Sequence, residues 1–250
     1  MRVSITFLEA ACIASATYTE RSSEGHWRCV EEYSERGFAA KLWLSSESES
    51  AVLGIRGTAT PWDALQDLRL LIGREPRSWR KGRAALQRAR ERCGAGGSVL
   101  LTGHSLGGAF AALLAEDQGL PAVTFNAPGI RHVSRARGSE APIWNVCVRQ
   151  DWIRHLSGPG PGVTLELDIG GGDPLPPRSG LTGLGSALRQ GSRAEGGLLR
   201  FLRRAVRMHR MGTIRMGLEE GTPVRSTGTR MGSIPPLPGP HVVSDLRASS

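Results

Sequence analysis

Residues 98–118 read SVLLTGHSLGGAFAALLAEDQ, and this stretch restricts the possible folds more than any other part of the chain. SVLLT is a continuous apolar run, as expected of a parallel strand covered on both faces. AFAALLAEDQ is an unbroken run of helix formers, closed by Gly119. Between them, Gly103-His104-Ser105-Leu106-Gly107 has to turn a strand into a helix within about two residues. That bend forces the serine into a strained backbone conformation. It also brings the positions two before and two after it so close that side chains there would clash, which glycine avoids. The turn holds the hydroxyl above the sheet edge, at the positive end of the helix, where an oxyanion is stabilised.

The surrounding sequence extends the same alternation. PAVTFNAPG (121–129) and IWNVCV (143–148) are two further buried-strand patterns. Upstream, residues 38–44 (FAAKLWL) and 51–55 (AVLGI) are short apolar runs joined by SSESES, a natural hairpin or strand connection. Residues 5–20 read as a helix with Ile5, Leu8 and Cys12 on its apolar face, and residues 20–37 read as a polar loop. Thr60-Pro61 opens a helical stretch in which Trp62, Leu65, Leu68 and Ile72 form one apolar stripe. Residues 83–93 form a second helix, with Leu86 and Ala89 inward and arginines outward. Strand–helix–strand alternation of this kind predicts an α/β fold with a central, mostly parallel sheet and helices on both faces.

Beyond Asp151 the texture changes. Residues 157–185 are rich in Gly and Pro around one strand candidate at 163–169, and residues 196–211 form a basic amphipathic helix candidate. At 250 residues the chain suits one α/β domain, set here at 1–220, with 221–250 as a flexible tail. Hydrophobic residues make up 39% and charged residues 22%, enough for a core and against wholesale disorder. No apolar run approaches the ~20 residues that span a bilayer. The N-terminus has Arg2 and a small-residue end like a signal peptide, but Ser4, Thr6 and Glu9 interrupt its apolar core. The expected location is the cytoplasm.

The formal charge is +9, and all but two of the 32 basic residues are arginines. Residues 74–92 hold 8 basic and 2 acidic side chains, and residues 200–215 hold 6 arginines and no acid. Clustering of this kind suits a transient contact with an anionic membrane or lipid-droplet surface, or simply a solvated helix face. Nucleic acid is not expected, because the basic stretches lack interleaved aromatics and any known motif. Cys12, Cys29, Cys93 and Cys147 show no CxxC spacing, and no His/Cys cluster has metal-ligand spacing. Neither a metal nor an organic cofactor is required.

A serine becomes a competent nucleophile when a base takes its proton and an acid orients that base. On this architecture the chain order is serine, acid, histidine. Asp151 follows an apolar strand, at the carboxyl end where open α/β sheets build their sites, and Asp173 is the next candidate. Among the later histidines, His132 precedes the acid, His155 lies only four residues from it, and His241 falls in the tail. His209 shares a helical face with Leu198, Leu202 and Ala205, which suits a catalytic base and equally a buried structural histidine. His104 reads as a packing neighbour of the bend. One oxyanion donor is assigned to the Leu106 backbone N–H. The other falls to Thr58, which could also serve as a helix N-cap.

Four pieces in order, VLGIRGT followed by WDALQDL, then LLTGHSLGG, then VTFNAPG, then Asp151 with HRMGTIRMGL, resemble the class 3 (fungal-type) lipases across roughly residues 38–215. The resemblance implies an α/β-hydrolase fold and hydrolysis of lipid carboxylesters through an acyl-enzyme. It implies Ser105 as nucleophile, Asp151 as acid, His209 as base and Thr58 as oxyanion residue. It also implies a lid after the oxyanion residue, carrying Trp62, Leu65, Leu68 and Ile72, although a fixed surface helix fits the same stripe. The expected substrate is an acylglycerol or phospholipid ester. Two rivals are a soluble short-chain esterase or thioesterase on the same fold, and a non-catalytic protein that binds anionic surfaces.

Overall fold

The structure is a computed structural model that describes residues 5–35, 37–57, 78–129, 141–151, 160–169, 208–222 and 224–226. Its centre is a nine-stranded sheet whose spatial order follows the chain order, β1 to β9. The strands are β1 (Ser23–Glu24), β2 (Trp27–Glu35), β3 (Phe38–Ser45), β4 (Ser50–Ile55), β5 (Ser98–His104), β6 (Ala122–Phe125), β7 (Ile143–Val148), β8 (Val163–Leu167) and β9 (Val224–Ser226). Pairing is antiparallel from β1 to β4 and parallel from β4 to β8, and β9 adds antiparallel to β8. β4 to β7 are buried on both faces, because helices cover each side, whereas β8 buries only Leu165 and Leu167 fully.

The helices among the described residues are α1 (Phe7–Ala16), α2 (Trp79–Cys93), α3 (Leu106–Gln118) and α4 (Met211–Glu219). Side-chain alternation along the strands divides the interior into two layers. Leu53, Leu101 and Ala122 pack with Leu86 and Ala89 of α2 and Phe110 and Leu114 of α3. Val52, Leu100, Val123 and Val146 face the other way, onto Ile13 and Ala14 of α1 and Ile214 of α4. α1 begins with a reciprocal cap, in which Glu9 N–H donates to Thr6 Oγ1 at 3.1 Å and Thr6 N–H donates to Glu9 Oε2 at 2.7 Å. It is then buried nearly all round rather than on the single face expected from Ile5, Leu8 and Cys12.

A further expectation changes. Residues 20–37 were expected as a loop, yet Trp27–Glu35 is a full strand paired with β3. Its exposed positions are Arg28, Val30, Glu32, Ser34 and Glu35, mostly polar as suits a strand near the sheet edge. Beyond residue 220, β9 pairs antiparallel with β8. Main-chain pairing needs no apolar side chains, so Val224-Arg225-Ser226 carries no obvious strand pattern.

Acidic neighbours take up much of the basic charge on α2. Lys81 pairs with Glu35, Arg83 with Asp117, Arg88 with Glu31 and Glu91, and Arg92 with Glu31. This is the behaviour of a solvated helix face laced to β2, and such surface pairs add little to stability. The second basic stretch, up to residue 207, the stripe from Trp62 to Ile72, and residues 227–250 lie outside the described residues. All four thiols are free, and no helix among the described residues is long and apolar enough to cross a membrane.

Candidate active site

The bend between β5 and α3 has the geometry its glycines imply. Ser105 sits at φ 57°, ψ −131°, a conformation that side-chain-bearing residues seldom adopt and that marks a site where strain is held for a purpose. A Cβ on Gly103 would lie 2.6 Å from the backbone of Gly107, and one on Gly107 would lie 2.4 Å from both Gly57 N and Ile55 O. The three segments meet there with no room for a methyl group. Ser105 is the N-cap of α3, but its side chain caps nothing in the helix. The hydroxyl is turned outward.

That hydroxyl meets His209. Ser105 Oγ lies 2.8 Å from His209 Nε2, and His209 Nδ1 lies 2.8 Å from Asp151 Oδ2. A carboxylate oxygen accepts, so Nδ1 carries the imidazole proton and donates it. Nε2 is then left to accept the serine hydroxyl. Asp151 is completely buried just past the carboxyl end of β7, its N–H donating to Val148 O at 3.0 Å, while the His209 side chain keeps 15% of its surface. The structure thus brings together the serine, acid and histidine selected from the sequence. His209 stands directly ahead of α4, whose N-cap is Arg210. The helical face drawn through Leu198, Leu202 and Ala205 lies outside the described residues, as do Asp173 and the other late histidines.

His104 has a more specific place than that of a packing neighbour. Its Nε2–H donates to the carbonyl oxygen of His209 at 2.6 Å, and the two rings sit 5.0 Å apart. Burial, with the neighbouring His209 as a second cause, pushes its pKa down to about 3. His104 is therefore neutral at ordinary pH and adds no positive charge beside an imidazolium.

On the opposite side, β4 runs into Arg56-Gly57 against the bend. Gly57 N–H donates to Tyr18 Oη at 3.0 Å, and the Tyr18 ring stands edge-on to His104. Burial pushes the Tyr18 phenol up to about 12, so the phenol keeps its proton. Thr58 follows outside the described residues, together with Trp62, Leu65, Leu68 and Ile72. Leu106 opens α3, with its backbone at the helix N-terminus, where N–H groups point away from the helix and favour negative charge.

Sequence reasoning missed two residues here, Tyr18 and Asn126. Tyr18 reaches Gly57, which packs against the bend, from 39 positions away, a contact with no local signature. Asn126 stands in the middle of VTFNAPG, directly after β6, and has φ 45°, a left-handed conformation that asparagine tolerates better than most residues. Its position at the end of a strand beside the serine was the available clue. Among the described residues, no three His, Cys, Asp or Glu side chains are grouped so as to hold a metal ion.

Comparison with known proteins gives a consistent result. The family model "Phospholipase-like: Tle-like phospholipase domain" matches residues 15–154, more than half of the chain. That span contains Ser105 and Asp151 and ends before His209. The fold is similar to a lipase from Rhizopus microsporus var. chinensis (TM-score 0.52, 16% identity, 64% of this chain and 72% of that one). It is also similar to lipase II from Rhizopus niveus (TM-score 0.51, 16% identity, 64% and 78%). A 32-residue stretch is 69% identical to a protein of Eremothecium gossypii named as the lipase ATG15, covering 13% of this chain. The chain spans only 6% of that relative's length.

Proposed function

The chain belongs to the Tle-like phospholipase domain family, and from that premise we propose that it is a serine hydrolase that cleaves carboxylester bonds of lipids. Ser105 is the nucleophile, His209 the base and Asp151 the acid. The observation that carries this reading is the continuous hydrogen-bonded line from the strained Ser105 through His209 to the buried Asp151.

The reaction follows from that line. Ser105 Oγ attacks the ester carbonyl as its proton passes to His209 Nε2, and the buried carboxylate of Asp151 stabilises the resulting imidazolium. The carbonyl oxygen becomes an oxyanion at the N-terminus of α3, with the Leu106 N–H as one donor and Thr58 as the other. Collapse of the intermediate breaks the carbon–oxygen bond to the alcohol, which leaves with the proton from Nε2. Water then attacks the acyl-enzyme, giving its proton to His209, and the fatty acid departs as Oγ recovers that proton. No step calls on a metal or an organic cofactor.

Phospholipids are the substrate class that the family description favours, with acylglycerols next. A lid carrying Trp62, Leu65, Leu68 and Ile72, which lie outside the described residues, is part of this proposal, with a fixed surface helix as the rival reading of that stripe. The test is release of free fatty acid from vesicles of a diacyl phospholipid, from an acylglycerol emulsion and from a monomeric short-chain ester. Release from either lipid exceeding that from the monomeric ester supports the reading. Turnover of the short-chain ester alone, with no gain at an interface, replaces it with a soluble esterase.

A further inference from the structure

We propose that Asn126 is a positioning residue that ties the nucleophile, acid and base segments of the site to one point at the end of β6. The inference rests on the assignment of Ser105, Asp151 and His209 above and extends it to a residue that touches none of the reacting atoms.

The three segments meet at Phe125-Asn126. Ser105 N–H donates to Phe125 O at 2.9 Å, so β6 holds the backbone of the bend itself. The Asn126 side chain then faces the other two. Its Oδ1 accepts the Val148 N–H at 2.8 Å, and the Val148 carbonyl in turn receives the Asp151 N–H. Its Nδ2 donates to Met208 O at 3.0 Å and to His209 O at 3.2 Å. Asn126 is completely buried, so these bonds form out of water, where leaving a partner unmatched is costly.

The amide fits this role by its chemistry. One end must accept from the acid-bearing strand while the other donates to carbonyls of the base-bearing segment, and a carboxylate or a hydroxyl cannot do both as widely. The left-handed φ of 45° aims the side chain across the strand ends instead of along the sheet face. The segment carrying His209 is joined to the described core through its carbonyl, which receives His104 Nε2–H as well as Asn126 Nδ2–H. On the other side of His209, α4 is anchored by Met211 and Ile214 buried against α1, so the amide bonds add a second tether at the His209 carbonyl itself.

Two substitutions separate the roles. Asn126→Asp tolerates the left-handed backbone and keeps the acceptor for Val148 but loses the donor to His209. Asn126→Gly eases the backbone and loses both. The first readout is the downfield proton resonance of the His209 Nδ1–H bonded to Asp151, assigned by its disappearance in Asp151→Asn. The second is kcat and KM on a monomeric ester, with thermal unfolding recorded beside them. Both variants are expected to lose or broaden the resonance and to lower kcat by about 10- to 100-fold, the scale of a misplacement near 1 Å. KM should stay within about twofold of the parent. In the parent protein, both Asn126 side-chain amide protons should exchange slowly with solvent. A folded variant that retains the resonance and the parent kcat overturns the proposal, and so does fast amide exchange in the parent. The resonance and the exchange rate do not depend on turnover. A parent that hydrolyses no ester would therefore sink the hydrolase reading and leave this one to be judged separately.

Discussion

The carboxylate of Asp151, with none of its surface exposed, accepts the Nδ1–H of His209 at 2.8 Å. The bond spans 58 positions of chain, and it fixes which imidazole nitrogen is free to face Ser105. Asp151→Asn presents an amide that can donate as well as accept, so it can stabilise the opposite tautomer. We expect kcat to fall by up to about 10⁴-fold with little change in fold, as happens when the acid of such a site is neutralised. Steady-state kinetics with a circular dichroism control checks this, and a loss below tenfold would remove Asp151 from its assigned role.

The bend has no space for a methyl group at Gly107, where an added Cβ would meet backbone atoms at 2.4 Å. Backbone cannot swing aside as a flexible side chain can, so Gly107→Ala should cost at least about 1–3 kcal/mol of stability. Gly212→Ala, whose Cβ would meet nothing within 4 Å, should be neutral or mildly stabilising. Chemical denaturation of the two variants side by side tests the contrast.

His104 supplies a pH prediction. Its folded pKa, about 3, lies below the ordinary histidine value of 6.5, so between these values the unfolded chain binds a proton that the folded chain does not. Stability must then rise with pH across this window. This contribution is complete above about 6.5 and is lost progressively as the pH falls toward 3. His104→Gln offers a donor to His209 O but does not titrate, so its melting temperature should fall less steeply on acidification. Parallel slopes for parent and variant would show that another group governs the acid limb.

The charged face of α2 offers a way to separate the enzyme from the surface binder. Arg90 hydrogen-bonds Gln118 and Arg80 is exposed, and neither touches the site. Arg80→Glu with Arg90→Glu should leave turnover of a monomeric ester unchanged. Any loss should be confined to substrate presented in anionic vesicles and should shrink as salt is raised. A loss on the monomeric ester as well would contradict this division of labour.

The central sheet and the bend were legible because they rest on local signals. Continuous apolar runs at 98–102, 122–125 and 143–148 match strands buried on both faces. The glycines at 103 and 107 stand where the backbone leaves no room. The antiparallel flank was less legible. In β2 a bulge between Cys29 and Glu31 breaks the alternation, so Trp27 and Cys29 pack on one layer and Tyr33 on the other, and β9 is held by main-chain pairing. His209 could be picked from chain order and family resemblance, but its anchoring could not. Tyr18, His104 and Asn126 act through hydrogen bonds 39, 105 and 83 positions long, and polar partners so remote leave no periodic trace. Thr58 and the stripe from Trp62 to Ile72 continue as proposals.

The central claim is that the Ser105 hydroxyl, relieved of its proton by His209, attacks an acyl carbon. Treatment of the folded protein with a fluorophosphonate, followed by peptide mass spectrometry, tests it most directly. The account predicts a covalent adduct on Ser105 in the parent protein, slowed by orders of magnitude in His209→Ala and absent in Ser105→Ala. A folded parent protein that stays unmodified, or one whose labelling survives both substitutions, would contradict it.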